Sequence, residues 1–216
     1  MPDTPQLLMF IAAGWLLNLT PGPDVLYIVT HALKSGVRAG VVAGLGIVSG
    51  CFVHVFAAAV GVGALLATST TAFTVLKWVG AAYLVWMGIK LLFVRGSSST
   101  LPPATAQTRI PADLRGIYLR GFLTNVLNPK VALFFLAFVP QFIAPGTEDK
   151  VTAFLLLGLL FSLNSLPINF GYAGLASWAA NRVSAVQHAM RGMDRAAGVM
   201  FVAFGLKLAM SDNPAQ

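Results

Sequence analysis

The chain has 216 residues, of which 57% are hydrophobic and 10% are charged, and its formal net charge is +7. A soluble domain carries about 25% charged residues, so the composition excludes an ordinary soluble globular protein. Basic cytoplasmic loops of a membrane protein account for the positive charge, since the sequence contains no arginine-rich helix, zinc pattern or RNA-binding motif.

Long runs without charge predict membrane-spanning helices. No Asp, Glu, Lys or Arg occurs in residues 4–23, 39–76 or 151–181, and about 20 mostly apolar residues cross a bilayer. We expect an all-α integral membrane protein with six transmembrane helices. In chain order, the predicted spans lie at about Pro5–His31, Ala39–Leu66, Ala72–Val94, Gly116–Pro140, Val151–Ala176 and Met193–Met210.

The first span is interrupted by the sequence TPGPD at residues 20–24. Each proline lacks a backbone N–H and frees a carbonyl, and the glycine accepts backbone angles that other residues avoid. Freed polar groups at membrane depth are expected only beside protein or a water-filled cavity. The candidate binding residues of this half are therefore Asn18, Thr20, Pro21, Gly22, Pro23 and Asp24.

The second span begins with a stripe of glycines that allows close helix packing. We expect this stripe to pack within the chain, with a homodimer contact as the alternative. His54 lies further along the same span and is expected to be a packed neutral histidine, with a proton relay as the alternative. The glycines of the stripe are Gly36, Gly40, Gly44, Gly46 and Gly50.

A polar loop at about residues 95–115 divides the chain into two similar halves. GWLLN at 14–18 matches GFLTN at 121–125, and MGIKL at 87–91 matches FGLKL at 204–208. Three spans per half place the second half in the opposite orientation, as in many secondary transporters. We expect one membrane transport domain over 1–216, built as two inverted three-helix repeats at about 5–94 and 116–210.

The second half has its own break, NPK at residues 128–130, at the position equivalent to TPGPD. Asp24 lies ten residues before Lys34, and Lys130 lies ten residues after Arg120. At about 1.5 Å per residue, both charges lie near the middle of a core about 30 Å thick. Such a charge costs about 2.5–3.5 kcal/mol on insertion scales.

Two interpretations of the deep charges remain open. In the first, Asp24 binds an amine or a proton and Lys130 binds a carboxylate. In the second, the two form a structural ion pair that joins the first span to the fourth. Residues around Pro167 in the fifth span either line the cavity or satisfy that proline's broken bonds. The candidate residues of the second half are Asn125, Asn128, Pro129, Lys130 and Asn164.

Nine basic residues of the loops fall on one side of the predicted membrane, which the positive-inside rule assigns to the cytoplasm, whereas Lys150 lies on the other side. Both termini are therefore expected to face outward. The nine residues are Lys34, Arg38, Arg95, Arg109, Arg115, Arg120, Arg182, Arg191 and Arg195.

The chain resembles the LysE/RhtB family of bacterial amino-acid exporters. The stretches that carry the resemblance are NLTPGPDVLYI at 18–28, GAAYLVWMGIKLL at 80–92 and GFLTNVLNPKVALFFLAFVPQF at 121–142. The resemblance implies export of amino acids or related metabolites driven by the proton gradient, without an organic cofactor. It places the family's motif positions at Pro21, Gly22, Pro23, Asp24, Asn128, Pro129 and Lys130.

The expected function is export across the bacterial cytoplasmic membrane by proton antiport, and not enzymatic catalysis. Expected partners are an amino acid, protons and the bilayer, with no metal and no nucleic acid. The scarcity of other deep acids favours a neutral amino acid over a dicationic one. The alternatives are export of another small cation or metabolite, or a non-transport membrane protein in which Asp24 and Lys130 form a structural ion pair.

Overall fold

A computed structural model describes residues 4–68, 70–93, 112–143, 147, 149–179 and 183–210. Within these ranges all regular structure is helical, which confirms the all-α prediction. The predicted loop at about 95–115 lies outside the described residues except for 112–115. The helices are α1 (Thr4–Leu19), α2 (Pro23–Ser35), α3 (Val37–Thr68), α4 (Thr70–Phe93), α5 (Leu114–Val126), α6 (Pro129–Leu133), α7 (Lys150–Trp178) and α8 (Val183–Met210).

Several described helices are apolar enough to enter a bilayer. The segment Val37–Gly61 of α3 and the whole of α7 are each long enough to cross one. A third span results if α5 and the helix from Pro129 to Phe142, which are bent by 48° at the break, count together. Helix α1 and the segment Gly198–Met210 of α8 are apolar but shorter. These helices support a membrane protein.

The outer surface of the helices is apolar as well. The four tryptophans of the chain are all at least 49% exposed, together with many leucines, valines and phenylalanines. Aromatic side chains of this kind are enriched where a protein meets the membrane–water interface. The exposed tryptophans are Trp15, Trp78, Trp86 and Trp178.

Both predicted breaks begin a new helix in the same way. Pro23 is the first residue of α2 and follows Gly22, whose backbone is extended (φ −151°, ψ −171°). Pro129 is the first residue of α6, and the Asn128 side chain caps that helix by accepting from the Lys130 backbone N–H at 3.0 Å. Proline is well suited to the first helical position because its missing N–H is unpaired there anyway.

The glycine stripe of α3 packs against other helices of the same chain. A Cβ on Gly46 would lie 2.2 Å from the Tyr118 carbonyl oxygen of α5, and one on Gly40 would lie 2.8 Å from the Ala173 Cβ of α7. These distances are far below ordinary contact, so only glycine permits the observed approach. Helix α3 therefore lies directly against α5, which ends at the second break, and against α7, which corresponds to the fifth predicted span.

A cluster of phenylalanines packs the segment that follows the second break against neighbouring helices. After α6 the chain continues as a π-helical turn (Phe134–Phe138) and a 3-10 turn (Val139–Phe142). The ring centroid of Phe134 lies 5.0 Å from that of Phe161 in α7, and Phe10 of α1 lies 5.3 Å from Phe142. This packing holds the irregular segment against α1 and α7.

Candidate functional site

Lys130, from the other half of the chain, donates hydrogen bonds to backbone carbonyls at the first break. Pro21 has no N–H, so the Leu17 carbonyl four residues earlier loses its helical partner. The Lys130 ammonium donates to that Leu17 carbonyl at 3.0 Å and to the Thr20 carbonyl at 3.1 Å. The side chain is only 5% exposed, and a Cβ on Gly22 would lie 3.3 Å from its Nζ.

The second proline of this break has the same effect and a similar remedy. Pro23 removes the partner of the Leu19 carbonyl, and the Tyr172 hydroxyl of α7 donates to that carbonyl at 2.8 Å. The remaining polar side chains bond locally. Asn18 donates to the Gly14 carbonyl at 2.9 Å, and the Thr20 hydroxyl donates to the Leu16 carbonyl of α1 at 2.6 Å.

The second break follows the same rule. Pro129 cannot donate to the Asn125 carbonyl four residues earlier. His54 Nε2 of α3 lies 2.9 Å from that carbonyl oxygen, so the ring donates to it through Nε2–H. The Asn128 N–H also donates to it at 2.9 Å. His54 is thus tied to the end of α5.

Asp24 is bound by the break of the opposite half. Its Oδ2 accepts hydrogen bonds from Asn125 Nδ2 at 2.9 Å and from Asn128 Nδ2 at 3.0 Å. Both amides are 3% exposed. A carboxylate in the first turn of α2 also lies at the favourable end of the helix dipole.

The two charged residues therefore cross between the halves in a reciprocal arrangement. Asp24 follows the first break and accepts from amides at the second, whereas Lys130 follows the second break and donates to carbonyls at the first. Each half supplies the groups that the charge of the other half needs. The two breaks are consequently held together as one polar unit.

A polar cavity adjoins this unit. It leaves about 20 Å³ for the centres of water molecules, and about 10–15 Å³ suffices for one water. This conformation therefore has room for a water or two, but not for an amino acid. The lining includes Asn18, Asp24, Cys51, Asn125, Lys130, Ser165 and Asn169, with apolar residues between them.

Three buried polar atoms of the lining have no hydrogen-bond partner among the described residues. They are Asp24 Oδ1, Asn125 Oδ1 and Asn169 Nδ2. The first two accept and the third donates. Buried polar groups are ordinarily paired, so this lining has unused binding capacity for a small polar molecule.

The sequence-predicted candidates take three positions. Asn18, Asp24, Asn125 and Lys130 line the cavity. Thr20 and Asn128 bind the charged side chains through a carbonyl and an amide, respectively. The breaks themselves are formed by Pro21, Gly22, Pro23 and Pro129.

Asn164 is not among the lining residues, whereas its neighbours Ser165 and Asn169 on α7 are. Sequence reasoning did not identify Tyr172 as part of the site. Counting four residues back from each proline finds the carbonyls that need donors, but it does not say which helix supplies them.

The fold and the site define a helical membrane protein with a buried, charged cavity between two interrupted helices. The family model described as "LysE type translocator" matches residues 15–212 of this chain. The chain belongs to the LysE family of translocators.

Relatives resemble the chain along nearly its whole length. It is 34% identical to an uncharacterized membrane protein of Vibrio cholerae, over 94% of this chain and 95% of that one. It is 31% identical to a homoserine/homoserine lactone efflux protein of Salmonella typhimurium, over 93% and 94%, and 28% identical to a leucine efflux protein of an Enterobacter species, over 93% of each chain. No solved structure matches the chain.

Proposed function

We propose that the protein is a secondary transporter that exports an amino acid or a related small metabolite by proton antiport. The observation that carries the proposal is the cavity between the two breaks, where one oxygen of the Asp24 carboxylate has no hydrogen-bond partner among the residues that the structure describes. Ionisable groups inside a membrane protein mark substrate paths and proton relays. The relatives named as homoserine and leucine efflux proteins supply the substrate class.

Asp24 provides the coupling in this mechanism. When ionised, the carboxylate binds the substrate ammonium; when protonated, it releases the ammonium, and the carrier returns with the bound proton. Proton and substrate thereby exclude one another at one group, which is the requirement for antiport. Because the cavity in this conformation holds only a water or two, the halves must move apart for an amino acid to enter, as alternating access requires.

We further propose six spans in two inverted repeats, and the contact between α4 and α8 supports this. The match of MGIKL to FGLKL makes Gly88 equivalent to Gly205 and Val85 equivalent to Val202. A Cβ on Gly88 would lie 2.8 Å from Val202, and a Cβ on Gly205 would lie 2.6 Å from Val85. Reciprocal contacts of this kind are typical of a twofold axis.

The direction of the helices supports inversion as well. Along α3, Gly40 faces Ala173 and Gly44 faces Asn169, whereas Val55 faces Gly158 further along. Partner numbers in α7 fall as those in α3 rise, so these second spans of the two halves run antiparallel. We place the chain in the bacterial cytoplasmic membrane with both termini outside, on the strength of the basic loops.

Transport by the purified full-length chain in proteoliposomes tests the proposal. Counterflow with labelled common amino acids and homoserine is expected to show uptake of at least one of them. An acidic vesicle interior is expected to drive accumulation of that amino acid, and a protonophore is expected to abolish it. Counterflow without any accumulation driven by the pH gradient contradicts antiport, and a complete lack of amino-acid counterflow contradicts the proposed function.

A further inference from the structure

We infer that the cavity recognises its substrate by an ammonium group and one carbonyl-type oxygen, with Asn169 as the donor to that oxygen. The negative charge of a substrate carboxylate is not required for binding at this site. This inference rests on the proposed function, because it assigns substrate groups to the cavity at Asp24. It adds a specificity-determining residue on α7, outside both helix breaks.

The unpartnered atoms define the pattern. Asp24 Oδ1 and Asn125 Oδ1 are two acceptors, of which one is anionic, and Asn169 Nδ2 is a single neutral donor. An ammonium offers three N–H donors, so it can engage both acceptors at once. A carbonyl, ester or carboxylate oxygen then pairs with the amide. The complement of this set is a small molecule that carries both groups.

Asn169 is held firmly in its place. It is 3% exposed, and its Cβ lies 3.2 Å from the position of a Cβ added to Gly44 on α3. The close contact of α3 and α7 at this level therefore fixes the point from which the amide projects. Donors on rigid helices hold a binding geometry better than donors on loops.

Lys130 is the cationic residue among the described lining residues, and its ammonium already forms structural hydrogen bonds. It donates to the carbonyls of Leu17 and Thr20, and the first of these lost its helical partner to Pro21. A substrate carboxylate that drew the ammonium away from these carbonyls would leave them unpaired in a buried site, which costs about 1–3 kcal/mol per group. The substrate oxygen is therefore received by the neutral amide.

This arrangement makes the amine of the substrate more important for binding than the negative charge of its carboxylate. Loss of the amine removes a charge-assisted interaction with Asp24. Conversion of the carboxylate to an amide removes the charge but keeps an oxygen acceptor for Asn169. The amine is thus required, whereas the negative charge is dispensable.

Equilibrium binding to the purified full-length chain in detergent tests the inference. Detergent avoids passive leakage of uncharged amines through vesicles. The probes are the amino acid with the strongest counterflow, its primary amide and its 2-hydroxy acid. The Kd of the amide is expected to lie within about threefold of that of the amino acid, and the 2-hydroxy acid is expected to bind about 10- to 100-fold more weakly.

A matched pair of variants on α7 tests the residue. Asn169→Ala is expected to weaken binding of the amino acid and of its amide alike, by about 5- to 10-fold, the typical value of one hydrogen bond. Asn164→Ala, which lies on the same helix outside the cavity lining, is expected to bind as the unaltered chain does. The probe series needs no variant, so it decides the question even if Asn169→Ala does not fold.

Two results overturn the inference and leave the proposed function intact. One is an amino acid that binds while its amide does not, which assigns the carboxylate to Lys130. The other is a folded Asn169→Ala variant that binds like Asn164→Ala, which reduces Asn169 to a packing residue. If the chain neither transports nor binds any amino acid, the inference and the proposed function are both wrong.

Discussion

The Asn125 amide donates a 2.9 Å hydrogen bond to the Asp24 carboxylate across the two breaks. The same residue accepts from His54 through its backbone carbonyl, so it connects α3 to the acid. Asn125 therefore sets the position of the carboxylate, and substitution of Asn125 tests that role directly.

Replacement of Asn125 by leucine is expected to lower the counterflow rate by about 10-fold or more. The change removes a hydrogen bond to a charged group, which is worth about 1.5–3 kcal/mol. Thr124→Val is the control, because the Thr124 hydroxyl donates at 2.7 Å to the Arg120 carbonyl of its own helix and not to the site. Equal transport by both variants would show that the amide does not position Asp24.

Replacement of Lys130 by methionine is expected to destabilise the protein by about 1–3 kcal/mol for each carbonyl left unpaired. Thermal unfolding in detergent, followed by tryptophan fluorescence, measures the effect. Lys34→Met is the control, because Lys34 is exposed at the end of α2. If Lys130 replaces the N–H missing at Pro21, then Pro21→Ala should recover part of the loss, with a coupling of about 0.5–3 kcal/mol. Independent, additive effects would argue against this link.

Two glycines of α7 are expected to respond in opposite ways to alanine. A Cβ on Gly158 would lie 2.3 Å from Val55 of α3, whereas one on Gly174 meets nothing within 4 Å. Gly158→Ala should therefore lower the unfolding temperature, since overpacking costs about 1–3 kcal/mol. Gly174→Ala should hold or raise it, because alanine favours a helix by about 0.5–1 kcal/mol. The reverse order would contradict the packing of α3 on α7.

The stability of the first turn of α7 is expected to depend on pH through the carboxylate of Asp149. Hydrogen bonds from the Thr152 hydroxyl and N–H to this carboxylate lower its pKa from the ordinary value of 3.8. A lowered pKa means that the stabilisation is present above the ordinary value and is lost as pH falls through the lowered one. Unfolding temperatures of the unaltered chain and of Asp149→Ala should therefore differ near neutral pH and converge in acid. A constant difference down to pH 2 would refute the capping role.

Much of the fold follows from local sequence signals. The breaks at Pro21–Pro23 and Pro129 are visible because proline removes a specific N–H, and helix content follows from long apolar runs. The glycine stripe of α3 indicated close packing, and the structure shows that it faces α5 and α7 of the same chain.

The partners across the breaks were less accessible to sequence reasoning. Tyr172 lies 153 residues from the Leu19 carbonyl that it binds, and no local pattern connects the two. The sequence also suggested that Lys130 binds a carboxylate, whereas we infer that the substrate oxygen binds Asn169. Its observed bonds to Leu17 and Thr20 depend on how two distant breaks approach each other, which spacing along the chain does not encode.

The central claim is that a carboxylate held between two interrupted helices carries the substrate and the proton. Amino-acid accumulation driven by a pH gradient, measured with Asp24→Asn in proteoliposomes, tests it most directly, because this change keeps the size of the side chain and removes its charge. Asp113→Asn is the matched control, since Asp113 is exposed and caps α5, a role that asparagine also fills. The account predicts that Asp24→Asn loses pH-driven accumulation while Asp113→Asn retains it, and full pH-driven accumulation by Asp24→Asn would contradict the account.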